Sequence, residues 1–240
     1  MMPVRISLLG WPLRVLTGIP MLYKTLSAAV YGIDANIIEV EVDVSGIKMT
    51  EDHFHTVGLP DAAVRESRDR VRSALKNCGY DIPPTQITIN LAPADIRKEG
   101  SGFDLPMALG ILGAYGGLNK KEVPDALFVG ELSLDGRVRG VRGALPIAIE
   151  ARRTKVKRLI VPEVNAREAA MVGDVEVYPV KSLLEVIHLI NSGNGVSRLQ
   201  STPINCSARR SNSMWISRTF AASKPPSARL KSRVPAATTV

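Results

Sequence analysis

The chain has 240 residues and only two cysteines. Cys78 and Cys206 lie far apart with no C-x-x-C or paired spacing, so a disulfide or zinc framework is not expected, and a reducing compartment fits. No G-x-x-x-x-G-K-[ST] occurs, which excludes nucleotide hydrolysis through a P-loop by these residues as they stand. A long apolar run is missing too. The stretch Ile6 to Leu22 is interrupted by Pro12, Arg14, Gly18 and Pro20, making a poor membrane span and an imperfect signal peptide. The expectation is a cytoplasmic protein with no membrane partner. His53 and His55 are the only close histidine pair; H-x-H on a strand can ligate a metal, but no third ligand is marked, so surface residues are expected. His188 reads as structural, on the last helix. No internal repeat occurs.

Acidic residues are absent from both ends. Residues 1–20 hold Arg5 and Arg14, and residues 201–240 hold Arg209, Arg210, Arg218, Lys224, Arg229, Lys231 and Arg233. With those nine removed from the 31 basic residues, 22 remain against 23 acidic ones. The net charge of +8 therefore belongs to the ends, and the central part carries no nucleic-acid signal in its net charge. From about Ser192 the composition turns to Ser, Arg, Pro and Ala with little apolar periodicity, and a disordered basic tail is expected over 192–240.

What is present is an ordinary globular composition, 45% hydrophobic and 22% charged, with strands and helices alternating between Met21 and about Asn191, as in α/β or α+β architectures. Leu26 to Ile33 and Asn36 to Ser45 read as a hairpin around Gly32, with Ile38, Val40, Val42 and Val44 on one face. Asp61 to Cys78 reads as a helix that buries Val64, Val71, Ala74 and Leu75 and stops at Gly79. Phe128 to Leu134 and Arg137 to Val141 read as a second hairpin through Asp135-Gly136, a pair suited to a type I′ turn. Further helices are expected at Ala144 to Arg153, from an Asn165 cap to Met171, and at Lys181 to Ile190, with short strands at Leu159 to Val161 and Val175 to Val177.

The most informative stretch is I-T-I-N-L-A-P-A-D-I-R-K-E-G-S-G-F-D-L-P-M-A-L-G, Ile87 to Gly110. Ile87, Ile89 and Leu91 alternate as in a half-buried strand, Gly100 and Gly102 form a turn, and Asp104 is placed to cap a helix that takes Pro106 in its first turn. A helix N-terminus behind two glycines can hold an anion or an oxyanion; glycines used only for backbone freedom are the plainer reading. Asp95, Lys98, Glu99 and Ser101 cluster beside this turn in the manner of a serine–lysine hydrolase, whose nucleophile and base must be aligned in a way that spacing does not show. Arg65, Arg68, Arg72 and Lys76 form one helical stripe able to meet phosphate, but Asp61, Glu66 and Asp69 sit among them at ion-pairing spacing. Arg137, Arg139 and Arg142 form a second basic group. Both groups are candidates for partner or DNA contact, with a solvated, self-paired surface as the plainer alternative.

These segments resemble the N-terminal domain of the magnesium chelatase-like AAA+ ATPases of the ComM type, associated with competence. The resemblance rests on V-G-L-P-D-A-A-V-R-E-S-R-D-R-V-R-S-A-L (Val57 to Leu75), I-T-I-N-L-A-P-A-D-I-R-K-E-G (Ile87 to Gly100), F-D-L-P (Phe103 to Pro106), V-G-E-L-S-L-D-G (Val129 to Gly136) and R-G-V-R-G (Arg139 to Gly143). It covers about residues 21–191 and departs from the family at Ile47 to His55, where a glycine-proline turn is usual. It implies a ribosomal S5 domain 2-like α/β fold resembling the proteolytic domain of Lon. Lon's nucleophile lies in K-[DE]-G-P-S-A-G; setting Lys98-Glu99-Gly100 on its start puts Gly102 at the serine and leaves Ser101 one position off, while the lysine of Lon's later segment falls at Leu145. The resemblance thus implies that Lys98, Gly100, Ser101, Gly102 and Leu145 mark a vestigial site with no catalytic dyad and no cofactor. ATP and Mg belong to the ATPase module of full-length relatives, which act on DNA as hexamers.

Two expectations concern the ends. Residues 1–20 read as an extension of doubtful origin. In the tail, Met214 and Trp215 have single codons, and the frame one nucleotide earlier from Trp215 must read Val-Asp; synonymous choices then allow V-D-F-K-D-V-R-G-Q-Q-T-A-K-R-A-L-E, similar to the family's entry into its ATPase module. A frame-shifted reading from near residue 201, and so a truncated product, is the expectation. Three functions compete: an accessory domain of a DNA-processing ATPase, a degenerate Lon-like serine hydrolase, and a free-standing nucleic-acid binder.

Overall fold

The computed structural model describes residues 21–48, 53–118 and 125–192; the expected N-terminal extension, the basic tail and Cys206 lie outside them. The hairpin is longer than its apolar pattern: β1 (Met21–Tyr31) and β2 (Asp34–Lys48) pair antiparallel from Met21↔Val44 to Tyr31↔Asp34. The two-residue loop turns on Gly32, at φ 62°, a conformation that costs glycine nothing. Ile33, expected in the strand, sits in this loop. Ile38, Val40, Val42 and Val44 are buried as their alternation requires. Beyond residues 49–52, β3 (His53–Val57) runs parallel to β4 (Thr85–Ala92), which pairs antiparallel with β2.

Between β3 and β4 lies α1 (Ala62–Asn77). The Asp61 carboxylate accepts from the Val64 N–H at 2.7 Å, satisfying one of the first-turn donors. The helix ends in a Schellman motif, with Gly79 at φ 90° and the Tyr80 N–H donating to the Leu75 carbonyl. Then comes α2 (Asp104–Ala114), all eleven residues of which are buried. It lies hard against the hairpin. A Cβ on Gly110 would come within 2.5 Å of Val42, and one on Gly113 within 2.3 Å of the Tyr23 ring.

The expected strand from Phe128 to Leu134 is two strands. β5 (Ala126–Phe128) joins the main sheet, whereas β6 (Glu131–Leu132) leaves it to pair with β7 (Val138–Arg139). Gly130 makes the break, since a Cβ there would lie 2.7 Å from Val138. The turn is not type I′, which needs positive φ at two residues; only Gly136 has it, at φ 82°. The Gly136 N–H donates to Ser133 and the Ser133 N–H to Arg137, a three-residue loop with a glycine bulge. The rest alternates: α3 (Ala144–Arg153), β8 (Arg158–Pro162), α4 (Glu163–Ala170), β9 (Glu176–Val180) and α5 (Leu183–Ser192). Asn165 does not cap α4. It sits inside the helix, where its side chain bonds both the N–H and the carbonyl of Val141 at 2.9 Å.

The main sheet has the order β3-β4-β2-β1-β5-β8-β9, with β1, β5, β8 and β9 parallel. One core joins α1, α2 and α5 to Val40, Val42, Ile89 and Phe128; the other joins α3 and α4 to Leu127, Leu159 and Val177. Helices on both faces explain why β5 and β8 read as continuous apolar runs rather than alternating ones.

Candidate functional site

Where β1 and β5 end side by side, α2 begins and β6 turns away, leaving a cleft of about 710 Å³ lined by Val30, Asp61, Ser101, Glu131, Val141 and Arg142 among others. The carboxyl ends of parallel strands are the usual place for such a crevice. One wall is the Gly100-Ser101-Gly102 turn. Asp61 fastens it: one carboxylate oxygen caps α1, the other accepts from the Gly100 N–H at 3.1 Å. Backbone bonds from Asp61 N–H to Lys98 O (3.0 Å) and Lys98 N–H to Leu59 O (3.3 Å) tie the approach to α1 to the segment before the turn.

The opposite wall is locked to the turn by the Gly130 N–H donating to Gly102 O and the Leu105 N–H donating to Gly130 O, each at 3.0 Å. This juxtaposes Ser101 and Glu131, and the serine hydroxyl donates to the glutamate carboxylate. Arg139 Nη1 lies 3.9 Å from the other carboxylate oxygen. Lys98 points elsewhere. It has no solvent-exposed surface, its ammonium donates to the Pro93 carbonyl, and burial lowers its pKa from the ordinary 10.5, opposed by Asp95. Leu145 stands in the first turn of α3, its N–H held by Glu168 at 3.0 Å. Gly100, Ser101 and Gly102 are thus brought together at the cleft. Lys98 is turned to backbone, and Leu145 is an aliphatic residue on another element.

Asp104 is not the cap that its position suggested. Phe103 occupies that place without a side-chain bond, and Asp104, with no exposed surface, meets Arg70 of α1 through Nε at 2.7 Å and Nη2 at 3.1 Å. It also accepts from the Leu132 N–H at 3.1 Å, so one carboxylate holds α1, α2 and β6 in register behind the cleft. Burial pushes this carboxyl up, against the pull of Arg70, Ser67 and the Leu132 N–H, and the same contact raises the Arg70 guanidinium. Arg70 lies off the stripe formed by Arg65, Arg68, Arg72 and Lys76, and no spacing in the sequence pairs it with Asp104. The signal available was one arginine off the charged face and one aspartate at the start of an apolar helix.

Of the basic residues, Arg65, Arg68 and Lys76 are exposed on α1 and Arg72 is half-buried. Arg68 pairs with Asp69 at 3.1 Å and Arg137 with Asp135 at 3.2 Å, exposed contacts that water and salt screen. The end of α1 abuts the β6–β7 turn, where Asn77 Nδ2 donates to Leu134 O at 2.6 Å, so Lys76 and the hairpin arginines lie on neighbouring elements. Arg142 stands apart, on the cleft. His53 and His55 are exposed on the edge strand with stacked rings 6.3 Å apart, and His188 Nδ1 meets Ser192 Oγ at 3.3 Å. Among the described residues no group of three or more His, Cys, Asp or Glu is placed to hold a metal, and no helix is long and apolar enough to cross a membrane.

Fold and cleft define an α/β domain with a mixed, parallel-rich sheet and a crevice at the carboxyl ends of its central strands. The chain belongs to the magnesium chelatase-like family of the ComM type, matching the family described as subunit ChlI of Mg-chelatase over residues 40–165, just over half its length. It is 43% identical over 165 residues to the competence protein ComM of Haemophilus influenzae, covering 69% of this chain and 32% of that protein. It is likewise 43% identical over 148 residues to the uncharacterized protein YifB of Escherichia coli K12, covering 60% and 28%. A fainter similarity, 25% over 136 residues, links it to the archaeal Lon protease of Methanocaldococcus jannaschii, covering 57% and 21%. The chain thus spans about a third of the length of the ComM-type relatives it matches.

Proposed function

We propose that this chain is a non-catalytic accessory domain of a magnesium chelatase-like ATPase that processes DNA in competence, and that it works in the cytoplasm by guiding DNA or by self-association. ATP and Mg are used by the ATPase module of full-length relatives. The observation that carries the reading is the state of the cleft. A Lon-type hydrolase needs a serine and a lysine where this chain has Gly102 and Leu145, and the nearby Lys98 ammonium is committed to the Pro93 carbonyl. A serine without an aligned base of that kind leaves a frame with no peptidase dyad. The candidates for DNA contact are Arg65, Arg68, Arg72 and Lys76 on α1, with Arg137, Arg139 and Arg142.

Dye-labelled peptide turnover tests the first half: none is expected, and turnover abolished by Ser101→Ala would favour the degenerate hydrolase. DNA binding measured against salt tests the second. Charge removal at Arg65, Arg68 and Lys76 should lower the slope of log affinity against log salt by about one per lost phosphate contact. Binding that disappears with residues 201–240 and ignores these arginines would instead favour a nucleic-acid binder acting through its tail.

A further inference from the structure

The cleft holds one arrangement that the accessory reading does not use. Ser101 and Glu131 come from elements far apart in sequence, meet through a hydroxyl-to-carboxylate hydrogen bond, and both line the 710 Å³ cleft. Their meeting is fixed rather than incidental. The paired backbone bonds of Gly102, Leu105 and Gly130 clamp the two segments, and the buried Asp104 holds the Leu132 N–H next to Glu131. Among the described residues no hydrogen bond uses the N–H of Ser101 or of Gly102, and both precede the first turn of α2, where the helix dipole favours negative charge. A hydroxyl with a proton acceptor, backbone donors beside it and room for a small molecule are the parts that acyl transfer to serine requires.

We propose that Ser101 is an acyl-accepting nucleophile with Glu131 as its proton acceptor, and that the cleft admits activated esters or thioesters of small carboxylic acids. The Ser101 oxygen bonds to the donor's carbonyl carbon, and the bond from that carbon to the donor's alcohol or thiol breaks. The hydroxyl proton passes to Glu131 and from there to the leaving group. The product is an acyl-serine and a free alcohol or thiol. Glu131 is left unprotonated again when the leaving group departs, so the step proposed is the acylation itself, read as one acyl group per chain where hydrolysis of the acyl-serine is the slower step. This goes beyond the accessory role without requiring it, since peptide turnover and DNA binding report on that role separately.

The test uses 4-nitrophenyl acetate on the full chain, with release of nitrophenolate followed by light absorption and the acetyl group located by peptide mass spectrometry. The expected result is a burst stoichiometric with protein and acetyl on Ser101. Ser101→Ala should abolish the burst, and Glu131→Gln should slow it by about a hundredfold, the usual effect of losing a general base, while leaving the label on Ser101. Thermal melts establish that both variants fold. The mass spectrum of the unaltered chain is decisive even where a variant misfolds: acetyl found on lysines or other serines, with none on Ser101, overturns the proposal, as does an equal burst from folded Ser101→Ala.

Discussion

Replacing Asp104 with leucine strands the Arg70 guanidinium behind the cleft, and the cost follows from the contacts. The carboxylate is fully buried and accepts three hydrogen bonds, two from Arg70 and one from Leu132. Breaking a buried ion pair by deleting one partner costs about 3–5 kcal/mol. The Arg70 side chain keeps 24% exposure, so water recovers part of its charge and the lower end, about 3 kcal/mol, applies. In a domain of this size that lowers the melting temperature by about 6–12 °C. Arg70→Met strands the carboxylate instead and should cost a similar amount. The double variant leaves no lone charge, and only the Leu132 N–H loses its acceptor, at about 1–3 kcal/mol. Urea unfolding of all four proteins closes the cycle. The double variant should be more stable than the sum of the singles predicts by about 3–5 kcal/mol. Single losses below about 1 kcal/mol, or additivity within about 0.5 kcal/mol, would refute the claim that this pair organises the cleft.

The two-residue period made β2 and β4 readable, because each has one face in a core and one that is not. The helical period placed α1 correctly for the same reason, since one face carrying Val64, Val71, Ala74 and Leu75 is buried and the other is not. The two-residue period failed at β5, whose three residues are covered on both faces and so carry no alternation. The sequence also hid the break at Gly130, since Val129 to Leu134 looks like one strand and only the nearness of Val138 to a missing Cβ shows otherwise. At the cleft, the turn at Gly100 to Gly102 was visible as glycines between a strand and a helix. Its partner Glu131 was not. A contact across 30 residues leaves no periodic mark, and Glu131 falls within a segment that resembled the family as a whole. Asp104 is ambiguous in the sequence, because a polar residue before an apolar run looks the same whether it caps a helix or is buried against an arginine on another one.

Three further outcomes follow from the same geometry. Lys98→Met should flatten the alkaline limb of the stability curve: with the folded pKa below 10.5 the unfolded chain binds the extra proton, so stability of the unaltered chain rises with pH through the window below 10.5, and an unchanged slope in pH-dependent unfolding would exclude Lys98 as its source. Gly130→Ala should cost about 1–3 kcal/mol, because its Cβ would lie 2.7 Å from Val138 and 3.3 Å from Leu105, and a melt equal to that of the unaltered chain would show that β7 yields freely. Gly102→Ser, by contrast, should be tolerated within about 0.5 kcal/mol, since its Cβ meets only Val141, at 3.6 Å, and its φ is not left-handed. That tolerance allows the alignment with Lon to be tested by rebuilding it. Gly102→Ser alone should cleave no labelled peptide, for a serine without its base is a weak nucleophile. Gly102→Ser with Leu145→Lys supplies both groups at the positions the resemblance assigns, and peptide turnover is expected from this double variant only. If it melts like the unaltered chain and still cleaves nothing, then Gly102 and Leu145 do not face one another across the cleft as serine and lysine do in Lon, and the reading of this turn as a former active site fails with them.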